Sequence, residues 1–271
     1  MSDSQGRFIW YELITIGTEA AKSFYINVMG WSTGEVSMPG TYTLFNVEDA
    51  AVAGLVQLPK EAADRGVKPH WLGYVRVDDV DSTSERIKQL GGSVRVPPTA
   101  IPNVGRFSFV ADPQMAPLAL LELVRADQES DIEPDKSGHV GWHELLAADG
   151  RKALAFYGEL FGWQKAEAHV GALGTYQRFS VRGQTIGGIV TKPRRVPDPF
   201  WLYYFNIDDV DRAAKRVKVA GGQILEGPVE VPSGNWIIHC ADPQGATFAL
   251  RGKRSYKAIV TIESYAKREI R

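Results

Sequence analysis

The sequence predicts an α+β protein of four βαβββ modules, two in each of two consecutive domains. Three observations carry this reading. The two halves of the chain repeat one another block by block. Each half repeats a pattern of one strand, one helix and three short strands. Glycine and proline fall where those segments need to end. Trp10-Tyr11-Glu12-Leu13 returns as Trp142-His143-Glu144-Leu145, and Phe24-Tyr25 with Gly30-Trp31 returns as Phe156-Tyr157 with Gly162-Trp163. Trp71-Leu72 and Asp78-Asp79-Val80-Asp81 return as Trp201-Leu202 and Asp208-Asp209-Val210-Asp211, and Ala111-Asp112-Pro113-Gln114 returns as Ala241-Asp242-Pro243-Gln244. The offset stays between 130 and 134 residues throughout. So many pairs in one order point to a tandem duplication.

The elements follow in order. Phe8 to Thr15 is β-branched and aromatic, the pattern of a strand. A helix is expected from Gly17-Thr18-Glu19, with Thr18 as N-cap. Ala20, Ala21, Phe24, Tyr25 and Val28 share one helical face, and Gly30 is the natural stop. Short strands are expected near 32–36, 41–46 and 51–57. The order then restarts: a strand from His70 to Val77, a helix opened by Asp79-Val80-Asp81 and closed by Gly91-Gly92, and strands near 93–96, 106–111 and 117–123. The second half does the same. The expected boundaries are 7–124 for the first domain and 138–252 for the second. Residues 125–137, polar and acidic with one proline, read as an exposed linker. Residues 253–271 form an extension with no partner in the first half.

Composition narrows the function classes. The chain has 271 residues, 44% hydrophobic and 23% charged, so each half is long enough for its own core. A net charge of −1 lacks the basic excess of a nucleic-acid binder. No apolar run approaches a membrane span, and the start lacks the apolar stretch of a secretion signal. One cysteine, Cys240, excludes an internal disulfide. A cytoplasmic protein is expected. No phosphate-binding glycine loop occurs in a strand–helix context.

Taken together, these motifs resemble the glyoxalase/bleomycin-resistance/extradiol-dioxygenase (vicinal-oxygen-chelate) superfamily. The resemblance rests on Phe24-Tyr25 before Gly30-Trp31, on Asp-Asp-Val-Asp before each second helix, and on Asp242-Pro243-Gln244-Gly245-Ala246 in the last hairpin. It covers residues 7–124 and 138–252. It implies that two modules pair edge to edge into a curved mixed sheet with helices outside, whose concave face forms a cup for a small molecule. The four fused modules complete both cups in one chain, so either a monomer or a homodimer is compatible.

In catalytic members, the resemblance implies, His and Glu side chains hold a divalent ion in the cup. The first ligand position falls on Trp10 and Trp142, the second on Leu72 and Leu202, the last on Ala119 and Ala249. None of these side chains suits such an ion. No metal ligand and no cofactor are therefore predicted, with a divalent metal as the disfavoured alternative. Glu12 and Glu144, two residues beyond the tryptophans and on the same strand face, are the candidate bases; a carboxylate in an apolar cup has a raised pKa. Trp10, Tyr42, Trp71, Trp142, Tyr176, Trp201 and Trp236 fall in predicted strands and are candidate ligand contacts, although strand aromatics also serve as core. Arg106 is a candidate for an anionic ligand group, with Trp236 as its counterpart. His143 should face away from Trp142, towards the helices or an interface. A small-molecule binding protein is the first expectation. A lyase, isomerase or dioxygenase related to lactoylglutathione lyase is the second, and a protein-contact scaffold the third.

Overall fold

A computed structural model describes residues 4–37, 41–125, 134–171 and 174–255. Most of the expected linker (126–133) and most of the expected extension (256–271) lie outside the described residues. The first half runs β1 (Phe8–Thr15), α1 (Thr18–Met29), β2 (Ser32–Ser37), β3 (Thr41–Val47), β4 (Ala50–Gln57), α2 (Lys60–Asp64), β5 (His70–Arg76), α3 (Val80–Gln89), β6 (Ser93–Ile101), β7 (Gly105–Ala111) and β8 (Pro117–Leu123). The second runs β9 (Val140–Ala147), α4 (Gly150–Phe161), β10 (Gln164–Gly171), β11 (Gly174–Val181), β12 (Gln184–Thr191), β13 (Phe200–Asp209), α5 (Val210–Val219), β14 (Gln223–Glu230), β15 (Trp236–Ala241) and β16 (Thr247–Lys253). The four βαβββ modules are thus present. Only the short helix α2 breaks the pattern, and nothing corresponds to it in the second half.

Local chemistry sets the helix ends. Asp79, Asp149 and Asp209 cap α3, α4 and α5, each accepting backbone N–H groups of the first turn. Gly30 and Gly162 end α1 and α4 in the left-handed conformation that glycine adopts without strain. Thr18, expected as a cap, is instead the first helical residue. Gly17 precedes it without a side-chain cap, and Gln244 from the other half accepts the Gly17 N–H at 2.8 Å.

Each half folds into one eight-stranded sheet, ordered β2-β3-β4-β1-β5-β8-β7-β6 and β10-β11-β12-β9-β13-β16-β15-β14. The first strands of the two modules, β1 with β5 and β9 with β13, pair antiparallel at the centre. Their other neighbours, β4, β8, β12 and β16, run parallel to them.

The outer faces of the two sheets meet in one shared core. Phe8, Leu13, Trp71 and Val75 of the first half join Leu145, Trp201, Tyr203 and Phe205 of the second. The contacts between the halves are reciprocal. Trp31 donates its indole N–H to the Gly138 carbonyl at 3.1 Å, and Trp163 donates to the Gly6 carbonyl at 2.7 Å. Tyr25 donates to Asp242 and Tyr157 to Asp112. Gln244 reaches back to Gly17, and Gln114 to Asp149. Each bond has a copy 130 to 134 residues away, so the halves are related by an approximate two-fold axis. Residues facing their own counterparts lie at that axis. Tyr11 touches His143, and the Gly73 N–H donates to the Tyr203 hydroxyl at 2.7 Å. A Cβ at Gly73 would come within 2.6 Å of that hydroxyl, so only glycine leaves room for the tyrosine.

Candidate functional site

The inner face of each sheet forms a cup. β1 projects Trp10 and Glu12 into the first, because alternate residues of a strand share a face. β5 sets Leu72 beside Glu12 and Tyr74 beside Trp10, and β8 sets Ala119 beside Tyr74. The second cup repeats this with Trp142, Glu144, Leu202, Tyr204 and Ala249. Tyr42 and Tyr176 lean in over Gly54 and Gly188, where any added Cβ would run into the tyrosine. Both cups therefore hold one polar unit. Trp10 donates to the Tyr42 hydroxyl at 3.0 Å, and Tyr42 and Tyr74 hydrogen-bond Glu12, the latter at 2.9 Å. Trp142 donates to Tyr176 at 2.8 Å, and Tyr176 and Tyr204 hydrogen-bond Glu144, the latter at 3.1 Å. Burial pushes both carboxyls above the usual carboxylate range, and the tyrosine hydroxyls pull partly the other way.

The cups differ in what surrounds this unit. In the first, Phe107 and Phe109 pack with Trp10, Tyr74, Leu121 and Leu123, and Ala62 and Ala63 of α2 join from the side. The cup is filled by its own side chains. In the second, Phe107 and Phe109 are replaced by Ile237 and His239, Leu44 by Arg178 and Leu121 by Arg251. A cavity of about 380 Å³ opens there, lined by Trp142, Glu144, His169, Tyr176, Arg178, Thr185, Tyr204, Ile237, Arg251 and the 231–233 turn. Tyr204 has one hydroxyl proton, which it donates to Glu144. It therefore accepts from His239 Nε2 at 2.8 Å, and His239 Nδ1 lies 3.7 Å from Glu226.

Four expected contacts are elsewhere. Trp71 and Trp201 face the shared core, where they donate to Tyr25 and Tyr157. Leu72 and Leu202 take the cup positions, so their preceding neighbours must point the other way. Arg106 is turned to the helix side and pairs with Asp81 on α3, while Phe107 faces the cup. Trp236 likewise packs against the shared core, with the Arg254 guanidinium 4.6 Å from its ring centre, and Ile237 faces the cup. The residues the sequence reading did not place at the site are Tyr74, Tyr204, Arg178, Arg251 and His239, the last read as packing because its counterpart is Phe109. Tyr74 and Tyr204 were signalled: they stand two residues beyond Leu72 and Leu202, on the same face. His143 is buried at the axis between the halves, and Cys240 faces the core, back to back with His239.

The divalent ion that the resemblance implies does not fit this donor set. Trp10, Leu72 and Ala119, with their counterparts Trp142, Leu202 and Ala249, do face the cups, and none can ligate. Among the described residues no group of three His, Cys, Asp or Glu side chains could hold an ion. No described helix is long and apolar enough to cross a membrane.

A sequence model of the Glyoxalase/Bleomycin resistance protein/Dioxygenase superfamily matches residues 7–120 and 136–250. The "Putative glyoxylase CFP32" of Mycobacterium bovis is 32% identical over 91% of this chain and 94% of its own length. The anthracycline biosynthesis protein DauV of Streptomyces sp. (strain C5) is 27% identical over 89% of this chain and 91% of its own. Among solved structures, the Mn(II)-bound glyoxalase from Novosphingobium aromaticivorans superposes with a TM-score of 0.62 at 17% identity, covering 93% of this chain and 83% of that one. The 2,3-dioxygenase LapB from Pseudomonas sp. KL28 gives 0.63 at 14% identity, covering 94% and 96%. At those identities the structural likeness speaks for the fold alone.

Proposed function

The chain belongs to the glyoxalase/bleomycin resistance protein/dioxygenase superfamily, and from that premise we propose that it binds a small aromatic molecule in a cup, without a metal ion. The cavity walled by Trp142, Tyr176 and Tyr204 carries the reading. It is a concave space with aromatic walls and a few convergent polar groups, the usual form of a small-molecule site. Flat rings gain from stacking on such walls. The similarity to a protein named for anthracycline biosynthesis supports the same ligand class. Metal independence is supported by the Trp, Leu and Ala at the ligand positions. The test is a tryptophan-fluorescence titration with aromatic compounds, before and after dialysis against a chelator. Saturable quenching that survives the chelator and shrinks in Trp142→Phe is expected. Binding that needs added metal, or no binding at all, would overturn the reading.

A second reading rests on the Glu144–Tyr204–His239 chain. A carboxylate of raised pKa at a cavity, linked by hydrogen bonds to an imidazole, is equipped to act as a base. In this reading Glu144 takes a proton from a bound carbon acid, as in a lyase or isomerase. Turnover of a bound compound that persists in Glu144→Gln removes it.

A further inference from the structure

The duplication supplies an internal control: one scaffold appears twice, with the same Trp–Tyr–Glu–Tyr unit on its floor. Whatever the fold alone requires should be present in both cups. At four positions around the unit the match breaks, two giving way to smaller side chains and two to arginines. Phe107 and Leu121, which fill the first cup, correspond to the smaller Ile237 and the cationic Arg251. Phe109, which also fills it, corresponds to His239, and Leu44 corresponds to Arg178. The two aromatic plugs are replaced by smaller side chains, and two guanidinium groups are introduced.

The two arginines are not absorbed by strong ion pairs. The Arg178 side chain is 26% exposed, and its carboxylate, Glu167, lies 3.4 Å away and is 79% exposed. The Arg251 side chain is 19% exposed; it donates to the Gly141 carbonyl at 2.9 Å, and Asp135, 3.9 Å away, is 93% exposed. Water-screened carboxylates at such distances hold a guanidinium weakly. Both guanidinium-bearing chains nevertheless line the cavity, with His169, and His239 stands behind its wall, hydrogen-bonded to Tyr204. Among the described residues the one carboxylate lining it, Glu144, is engaged by the hydroxyls of Tyr176 and Tyr204. Around the cavity, cation donors outnumber free acceptors. An arginine in a partly desolvated site is suited to a carboxylate or an acidic phenolate.

We propose that the second cup alone holds the ligand, and that the ligand is a flat aromatic bearing an anionic group, which Arg178 and Arg251 receive while the rings stack on Trp142, Tyr176 and Tyr204. This rests on the aromatic-cup reading above and adds to it the ligand's charge and the single location. The first cup is a closed copy that supports the fold.

Titration calorimetry with 2-naphthoate and 2-naphthamide tests it, because the two probes share their rings and differ in charge. The full chain should bind the carboxylate at least tenfold more tightly than the amide, with one site per chain, and added salt should narrow the gap. Arg178→Leu and Arg251→Leu, each copying the first-half residue, should erase the preference and leave amide binding in place. Arg178→Lys keeps the charge and should keep most of the preference, which covers the case of a leucine variant that does not fold. Equal affinity for the two probes in the unaltered protein overturns the charge assignment while leaving the aromatic cup standing. Two sites per chain overturns the single location. Binding of neither probe overturns both this proposal and the reading beneath it.

Discussion

His143 offers the sharpest test of the shared core. Its ring stacks on Phe8 at 4.2 Å between centroids, and the residue is 6% exposed. Nδ1 lies 2.8 Å from the Ile186 carbonyl, which can only accept, so Nδ1 carries the proton. Nε2 is then an acceptor, and the Tyr11 hydroxyl donates to it at 2.6 Å. The site is built for the neutral ring. Burial lowers its pKa from 6.5 to about 4, partly offset by the Ile186 carbonyl. Because the folded pKa lies below the unfolded one, the unfolded chain binds the proton first as pH falls. The stability this neutral histidine provides is complete above pH 6.5 and is lost on acidification through the window down to about 4. Between pH 7 and pH 5 the loss is about 2 kcal/mol. His143→Phe removes the titration. It also orphans the Tyr11 hydroxyl and the Ile186 carbonyl, for a pH-independent cost of about 2 kcal/mol. Urea unfolding of both proteins at pH 7 and pH 5 separates the two effects. The raised carboxyls of Glu12, Glu144, Asp112 and Asp242 have the opposite sign, favouring the fold as pH falls below their folded pKa. They are present in both proteins and cancel in the difference. The variant should lose about 2 kcal/mol less than the parent between the two pH values. Equal losses would refute a buried neutral imidazole at the axis.

Other outcomes follow from the same geometry. Gly188→Ala should displace Tyr176 from Trp142 and Glu144 and destabilise by about 1–3 kcal/mol, with altered near-ultraviolet circular dichroism and weakened aromatic binding. A normal tryptophan environment in that variant would show that Tyr176 does not lie over the glycine. Asp242→Ala leaves the Gln244 and Ala246 amides and the Tyr25 hydroxyl without their acceptor, so a loss of about 3 kcal/mol is expected in chemical denaturation. A loss below about 1 kcal/mol would mean that this contact does not join the halves. Filling the second cup with Ile237→Phe and His239→Phe, the first-half residues, should abolish aromatic binding while leaving the melting temperature unchanged or higher. Retained binding would place the ligand elsewhere.

Repetition made the fold legible. A pattern appearing twice in each half fixes the modules, and the Asp and Gly at helix ends mark their limits. The site was legible where strand parity had an anchor. Trp10 and Glu12, with Trp142 and Glu144, were read in the cup and stand there. Trp71, Trp201 and Trp236 were misread because an aromatic side chain is equally at home on either face of these sheets. The outer face is not solvated; it is buried against the other half, so hydrophobicity alone cannot tell the faces apart. Leu72 and Leu202, already counted into the cup, held the missing parity. Arg106 was misread for a related reason: an arginine next to a cup residue points to the helices, where Asp81 meets it. The thinning of the second cup could be seen only by comparing the halves position by position once the filled one was known.

The meeting of unlike partners at the two-fold axis limits how this chain can associate with itself. Were two second halves to pair, Tyr203 would collide with Tyr203 and His143 would face His143 with no hydroxyl to match it. Two first halves would face Gly73 with Gly73 across a void. Only the mixed pairing fits knob to hole, and the chain supplies both members. The duplicated halves have become obligate complements, so exchange of halves between molecules could only reproduce the same mixed pairing. Each half thereby serves as the other's permanent buttress.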